Sequence, residues 1–431
     1  MDCLAGRESI SPLLLRAGSR RPVIPPTATT ETIMFTALES YPPDPILRLL
    51  ADFRADPNPH KVDLGVGVYK DETGHTPIMG AVKTAEARVF AGEETKSYIG
   101  PAGVPEFNVA IKDLIFGARH PVLADARVAT VLTPGGCGAL RVGAELLKRA
   151  APETTIWVSD PTWANHIPLL GNPGLRIRAY PYYDREHSVL RFDAMLSALA
   201  ESGSGDVVLL HGCCHNPCGA DLNLDQWRAV AELAEKRGFL PFVDLAYQGL
   251  GDGLDVDAQG LRLLAERLPE LLVASSCSKN FGLYRERVGS LSVLGQNAQR
   301  AEITVSHVNN IVRGIYSMPP SHGGAIVAEI LNDPELARQW RDELDVMRDR
   351  INGLRKLLNN KLRARGVDRD FSFVERERGM FSFLGLSAEQ VTRLIDDYSI
   401  YMVNSSRINV AGISQANVDY VVEALATVMA G

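Results

Sequence analysis

Ser275-Ser276-Cys277-Ser278-Lys279-Asn280-Phe281-Gly282-Leu283-Tyr284-Arg285-Glu286-Arg287-Val288-Gly289 follows directly on the apolar run Leu271-Leu272-Val273-Ala274. That run reads as a buried strand, so Lys279 is placed just past a strand end. Small hydroxyl residues precede the lysine, and Arg287 follows it eight positions later. The segment therefore offers an amine able to form a Schiff base, together with donors for an anion. Upstream, Phe242-Val243-Asp244-Leu245-Ala246-Tyr247 puts a carboxylate at the end of another apolar run.

Outward from these two segments the chain alternates short apolar runs with amphipathic helices. Ile156-Trp157-Val158, Val207-Val208-Leu209-Leu210, Leu240-Pro241-Phe242-Val243 and Leu271-Leu272-Val273-Ala274 read as fully buried strands. Trp227, Val230, Leu233 and Ala234 form a helix stripe that stops at Gly238, and Leu261, Leu264 and Leu268 mark another. The alternation predicts an α/β fold, with a mainly parallel sheet covered by helices on both faces. Ligands of such sheets bind beyond the carboxyl ends of the strands. Asn216, Asp244 and Lys279 are expected there, each just after a strand. A lysine for an aldehyde, an acid for a ring nitrogen and donors for a phosphate are what pyridoxal phosphate requires.

Thr133-Pro134-Gly135-Gly136-Cys137-Gly138-Ala139-Leu140 fits the same chemistry. Apolar residues at 139, 142 and 146 describe a helix starting where the glycines end. Its free backbone N–H groups and dipole would suit a phosphate at Gly135 and Gly136, although a plain tight turn also explains such glycines. Near the start, Asp44 as N-cap and Pro45 open a helix with Ile46, Leu49, Leu50 and Phe53 on one face. Leu64-Gly65-Val66-Gly67 follows, where glycines allow close backbone approach. From 334 to 361 apolar residues recur every three or four positions, as in a long amphipathic helix joining two domains. Met380-Phe381-Ser382-Phe383 and Tyr401-Met402-Val403 read as strands, and Ser414 could cap a final helix.

At 431 residues, with 45% apolar and 23% charged residues, the composition is that of an ordinary globular protein. A net charge of −7 argues against a nucleic-acid footprint, and no run of 18 apolar residues marks a membrane span. Six cysteines in so long a chain are no disulfide scaffold, which points to a reducing compartment. Cys213-Cys214-His215 with Cys218 lacks the second cluster that would complete a four-ligand zinc site. Residues 1–33 are rich in arginine and proline and poor in acids. They read as a disordered tail ahead of a start at Met34, or as an organelle transit peptide. The expected location is cytoplasmic, or an organelle matrix if the tail is a transit peptide.

Ser-x-Ser-Lys-Asn-Phe-Gly-Leu-Tyr-x-Glu-Arg-Val-Gly resembles the lysine motif of the aspartate and aromatic-amino-acid aminotransferases, of pyridoxal-phosphate fold type I. The resemblance runs from about Met34 to the C-terminus. It implies a large cofactor domain at 76–346 and a small α/β domain formed by 34–75 with 347–431. By this resemblance Lys279 holds the cofactor and acts as general base, and Asp244 protonates its ring nitrogen. Tyr247 and Asn216 reach its ring oxygen, Trp163 covers its face, and Asn216 and Trp163 also contact substrate, though Trp163 read alone also fits core packing. Ser276, Ser278, Arg287, Gly135, Gly136 and Cys137 surround its phosphate. Cys137 stands where the family commonly has a hydroxyl residue, and a thiol is a weaker donor. Cys218 replaces a commoner threonine.

Gly67 is implied as a backbone contact to substrate, and Arg407 as the partner of its α-carboxylate. Tyr98 and Arg313 are implied to act on the neighbouring subunit's cofactor phosphate and distal substrate carboxylate, which makes a homodimer with shared sites. Read alone, Tyr98 is a half-buried loop tyrosine and Arg313 a surface charge. Cis bonds are expected at Asp160-Pro161 and Asn216-Pro217, where turns after strands must aim adjoining residues. The implied substrates are amino acids and 2-oxo acids, aspartate or aromatic, with 2-oxoglutarate as acceptor. The stretches 117–123, 156–163 and 219–222 look closer to the aromatic branch. A dedicated aspartate enzyme, a fold-type-I lyase or decarboxylase, and a non-enzymatic regulator on the same scaffold are the alternatives. The paired arginines argue against the second, and the intact lysine and ring acid against the third.

Overall fold

A computed structural model describes residues 34–40 and 45–430. Met34–Ala37 form one turn of 3-10 helix, in a unit separate from the compact body that follows. The expectations for residues 1–33 and for Asp44 as a helix cap lie outside the described residues.

The body is built on a seven-stranded sheet. Its order across is Val128–Pro134, Val288–Leu294, Leu271–Ser276, Leu240–Leu245, Val207–His211, Thr155–Asp160 and Arg176–Pro181. Val288–Leu294 runs antiparallel to both neighbours, and the remaining pairings are parallel. Because side chains alternate between faces, each strand feeds two cores. Ile156, Val158, Leu209, Phe242, Leu272 and Ala274 enter one, which the helices Gly135–Ala150 and Ala298–Ile315 cover. Trp157, Leu210, Val243, Leu245, Leu271 and Val273 enter the other, beneath Pro105–Phe116, Leu224–Arg237 and Gln259–Arg267. The runs read as strands at 380–383 and 401–403 are shorter than expected, the strands being Phe381–Phe383 and Ile400–Tyr401. Leu224–Arg237 begins in an Asn223–Gln226 capping box and ends at left-handed Gly238, φ +79°.

A third core gathers Val62, Leu64, Leu358, Phe371, Val391, Ile408 and Leu425 around short strand pairs, of which Phe381–Phe383 with Arg407–Asn409 is one. The helix Pro334–Arg365 is continuous over 32 residues and enters two of the cores. Leu336, Trp340, Leu344, Met347 and Ile351 belong to the sheet core, while Leu354, Leu358 and Leu362 belong to the third. The last helix, Val418–Ala430, is preceded by a reciprocal pair: Ser414 N–H donates to Asn417 Oδ1 and Asn417 N–H donates to Ser414 Oγ. No helix among the described residues is long and apolar enough to cross a membrane.

Two expectations need correction. The helix after Thr133 takes in the glycines rather than following them, running Gly135–Ala150. Without side chains, Gly135 and Gly136 fit against Arg287 and Ser276 while already entering the helix. Asp244 lies inside the strand Leu240–Leu245 instead of beyond it, because its backbone is paired with both His211 and Ala274.

One close approach supports an experiment. A Cβ on Gly289 would fall 2.4 Å from the carbonyl carbon of Gly135 and 2.6 Å from Ser275 O. Backbone on both sides cannot yield as a flexible side chain can. Gly289→Ala should therefore destabilise the protein by roughly 3 kcal/mol and lower its urea midpoint. An unchanged midpoint would contradict this packing.

Candidate active site

Nearly all the single-chain candidates converge on one cleft. Gly67, Gly136, Cys137, Trp163, Asn216, Asp244, Tyr247, Ser276, Ser278, Lys279, Arg287 and Arg407 all line it. Gly135 lies directly behind, where a Cβ would come within 2.4 Å of Arg287 Nη2. Tyr98 and Arg313 do not line it. Tyr98 is 93% exposed, not the half-buried loop tyrosine the sequence alone describes. Arg313 is exposed in the last turn of Ala298–Ile315, where its guanidinium donates to Ser317 Oγ.

Lys279 sits three residues past the strand Leu271–Ser276, with its Nζ 4.9 Å from the centroid of the Tyr247 ring. The loop behind it is anchored where Phe281 stacks on Trp340 at 4.4 Å and Trp340 Nε1–H donates to Asn280 O at 2.8 Å. Burial holds the Lys279 ammonium below its ordinary range and Arg287 adds to the drop, while Asp244 and Cys137 oppose it.

The anion side is built from a sharp turn. Arg287 adopts φ +54°, a left-handed conformation that non-glycine residues seldom take and that concentrates at functional sites. Its Nη1 donates to Tyr284 O at 2.7 Å and Ser278 Oγ at 3.4 Å. Ser276 Oγ–H donates to Ser278 Oγ at 3.1 Å and accepts from Ser278 N–H at 3.2 Å. Across from these stands the first turn of Gly135–Ala150, whose N-cap, Pro134, contributes no side-chain bond. Helix amides, two hydroxyls and a guanidinium in one place make an anion cradle. Cys137 Sγ accepts from Asn165 Nδ2 at 3.8 Å.

Asp244 is backed by a chain of polar groups that the sequence reading did not find. Its Oδ2 lies 3.0 Å from His166 Nε2. His166 Nδ1 is 2.7 Å from Thr162 Oγ1, which is 3.3 Å from His211 Nε2. Burial, helped by the neighbouring His166, pushes His211 down to about 3, so it is neutral. A relay in which His211 donates to Thr162, Thr162 to His166, and His166 to Asp244 satisfies every member. Burial alone would raise the Asp244 carboxyl, but the His166 hydrogen bond, the neighbouring imidazoles and Lys279 outweigh it and hold it below the usual carboxylate range. Signals existed. Thr162 and His166 are four apart, and His211 ends a strand in direct register with Asp244.

Arg407 closes the other side. Its Nη2 donates to Gly65 O at 2.7 Å, and its guanidinium carbon lies 4.4 Å from the centroid of the Phe381 ring. Burial lowers its pKa, while Tyr247 acts the other way. A Cβ on Gly67 would sit 2.8 Å from Phe381 Cζ, so only glycine fits that wall. Asp160-Pro161 and Asn216-Pro217 are both cis. Trp163 stands edge-on to His166 at 5.3 Å.

The cysteines assemble differently from the grouping considered in the sequence. Cys218 Sγ and His215 Nδ1 pair at 3.2 Å, while Cys213 and Cys214 lie with Asp257, the ligand atoms within 4.8 Å of one another. The Asp257 oxygens accept from the amides of Gly249, Gly251 and Asp252. Its part is to hold that turn.

A lysine, a buried acid and an anion cradle at the carboxyl edge of an α/β sheet define a class: enzymes that bind a phosphorylated ring cofactor through an amine. Residues 59–425 match the family described as aminotransferase class I and II. An aspartate aminotransferase from Haemophilus influenzae is 48% identical over 396 residues, 92% of this chain and all of that protein. An aromatic-amino-acid aminotransferase from Paracoccus denitrificans is 49% identical over 393 residues, 91% of this chain and 99% of its own. The crystal structure of an aromatic-amino-acid aminotransferase from Burkholderia pseudomallei, covalently bound to pyridoxal phosphate, superimposes with a TM-score of 0.90 at 44% identity, covering 92% of this chain and 99% of that one. The chain belongs to the class I and II aminotransferases.

Proposed function

We propose that this protein is a pyridoxal-phosphate-dependent aminotransferase moving an amino group between aspartate or an aromatic amino acid and 2-oxoglutarate. The observation that carries the reading is Lys279, Asp244 and Arg407 lining one cleft. The residues present fit the cofactor. Asn216 Oδ1 and Arg407 Nε are buried without a hydrogen-bond partner among the described residues, an arrangement that bound polar groups would relieve. The cradle opposite is closed against a Cβ at Gly135.

When bound, the cofactor supplies a ring that accepts the electron pair left on the substrate's α-carbon. Lys279 would hold it through its amine, and Nζ, when free, would take the substrate's α-carbon proton as a general base. Burial favours the free amine that this step needs. Ionised Asp244 would keep a proton on the ring nitrogen. Tyr247 and Asn216 would hold the ring oxygen, Trp163 would cover the ring, and Ser276, Ser278, Arg287 and the amides of Gly135, Gly136 and Cys137 would hold the phosphate. Arg407 pairs with the α-carboxylate beside the backbone of Gly67. Ile46, Leu140 and Trp163 add apolar surface to the same cleft, which suits an aromatic side chain as well as an aspartate.

The working unit is read as a homodimer. Tyr98 and Arg313, both exposed, would complete the neighbouring subunit's phosphate and distal-carboxylate contacts. Exposed Phe90, Ile78 and Ile315 support such a surface. Within each subunit the third core, drawn from Val62, Leu64 and residues from Leu354 onward, supports a small domain inside the expected 34–75 and 347–431, beside a large one. The described cysteines are all free thiols, which supports a cytoplasmic setting.

Subunit mixing tests this reading, with aspartate or phenylalanine as donor and 2-oxoglutarate as acceptor. Lys279→Ala and Arg313→Ala homodimers should each turn over aspartate poorly. Mixed with subunit exchange, they should regain one competent site per heterodimer, since both defects then fall in the other site. Arg313→Ala should harm aspartate more than phenylalanine, because only aspartate presents a second carboxylate. No recovery despite proven exchange would end the shared-site reading.

A further inference from the structure

Arg355 stands within the helix Pro334–Arg365 with 1% of its surface exposed. A buried guanidinium is tolerated only when its donors are met. Here Nη1 donates to Val374 O at 2.9 Å and Ser382 Oγ at 2.7 Å. Nη2 donates to Gly379 O and to Phe381 O, both at 2.7 Å. Glu377, also buried, lies with Oε2 3.7 Å from Arg355 Nη1. It accepts from Tyr183 OH at 2.7 Å and from the Ser382 hydroxyl. Neither Arg355 nor Glu377 lines the cleft, and neither takes part in the chemistry above.

What the pair holds is the turn that delivers Phe381. The Phe381 ring packs on the Arg407 guanidinium and stands edge-on to Tyr247 at 6.1 Å. Its strand is paired with the strand carrying Arg407, Phe383 opposite Arg407 and Phe381 opposite Asn409. The same turn is pinned to the loop bearing Asn216, since Arg378 N–H donates to Gly219 O at 2.8 Å. A Cβ at Gly219 would fall 2.5 Å from Phe381 O. The turn thus touches both the carboxylate clamp and the Asn216 loop, and a buried ion pair fixes it.

We propose that Arg355 and Glu377 are positioning residues for substrate binding: by fixing the turn 377–382 they set where Phe381 packs on Arg407, and with it the affinity for the substrate's α-carboxylate. This rests on the reading of Arg407 given above. A clamp displaced by a fraction of an ångström loses bidentate geometry in the bound complex, while Lys279 and Asp244, on other elements, keep theirs.

The test is steady-state kinetics of the holoenzyme with aspartate and 2-oxoglutarate, using Glu377→Gln, Arg355→Lys, Arg355→Met and Arg407→Lys. Burial pushes the Glu377 carboxyl up to about 7, against the pull of Arg355 and the two hydroxyls. Assays therefore run near pH 8, about one unit higher, where the carboxylate is ionised. Glu377→Gln and Arg355→Met should raise KM about tenfold with kcat changed less than about threefold, the cofactor's absorbance unaltered. Arg355→Lys, which keeps the charge but serves fewer acceptors, should recover part of the loss. If Arg355→Met does not fold, isosteric Glu377→Gln decides. Parallel losses of kcat and cofactor occupancy would show a merely structural role and overturn the proposal. Unchanged KM in Glu377→Gln and Arg355→Lys, with KM raised in Arg407→Lys, would overturn it while leaving the clamp reading intact. Unchanged KM in Arg407→Lys would sink the clamp reading, and the proposal with it.

Discussion

Replacing Lys279 with alanine is expected to abolish transamination, by roughly 10⁴-fold or more, and to leave the protein without covalently held cofactor. Both losses share a cause. The side chain is the only amine lining the cleft among the described residues, and it serves as cofactor anchor and as base for the α-carbon proton. The substitution should spare the fold, because the loop is held from behind by the Phe281–Trp340 stack and the Asn280 carbonyl rather than by the lysine. Thermal unfolding of the variant would check this, absorbance would report the cofactor, and turnover of aspartate and phenylalanine would report the chemistry. Normal transamination by a folded Lys279→Ala protein would remove the basis of the assignment.

Asp244→Asn should be the next most damaging change, lowering turnover by about 10³-fold while still allowing cofactor to bind. Asparagine can accept the hydrogen bond from His166, so the local packing survives. It cannot offer the negative charge that keeps a proton on the ring nitrogen. That charge is well protected here, since His166 and the nearby charges keep the carboxyl ionised despite burial. The effect should therefore persist across the neutral range instead of being rescued by raising the pH. Turnover within a few-fold of the unsubstituted protein would show that Asp244 serves some other purpose.

Much of this site was legible in the sequence because its reactive residues follow or end apolar runs. Lys279, Asp244 and Asn216 each stand beside a run too apolar for anything but a buried strand, and a parallel sheet brings such ends to one edge. The reversed strand was not read. In Val288–Leu294 two serines interrupt the apolar residues, yet all seven positions are buried. They are accommodated because Ser290 Oγ meets Ser275 Oγ at 2.6 Å and Ser292 Oγ meets Thr130 Oγ1 at 2.8 Å, partners that exist only across the sheet. His166 and His211 were missed for a similar reason: a single histidine says nothing until strand register sets it against an acid. Arg355 was hidden within the stripe of Ile351, Leu354 and Leu358, where a charged residue reads as the solvated flank of a helix.

The helix Pro334–Arg365 packs in two hydrophobic cores, and the cleft draws on both sides of that division. Lys279 and Asp244 come from the sheet; Arg407 lies in a strand whose Ile408 enters the third core. A helix of this length behaves as a beam about 48 Å long, so any swing of one core against the other must be absorbed as curvature along it. The changeover falls between Ile351 and Leu354, and Gly353 occupies that interval, with open space where a Cβ would stand. Glycine is the most pliant residue a helix can carry. A bend in that one turn of helix would alter the width of the cleft, and with it the grip on a substrate held from both sides.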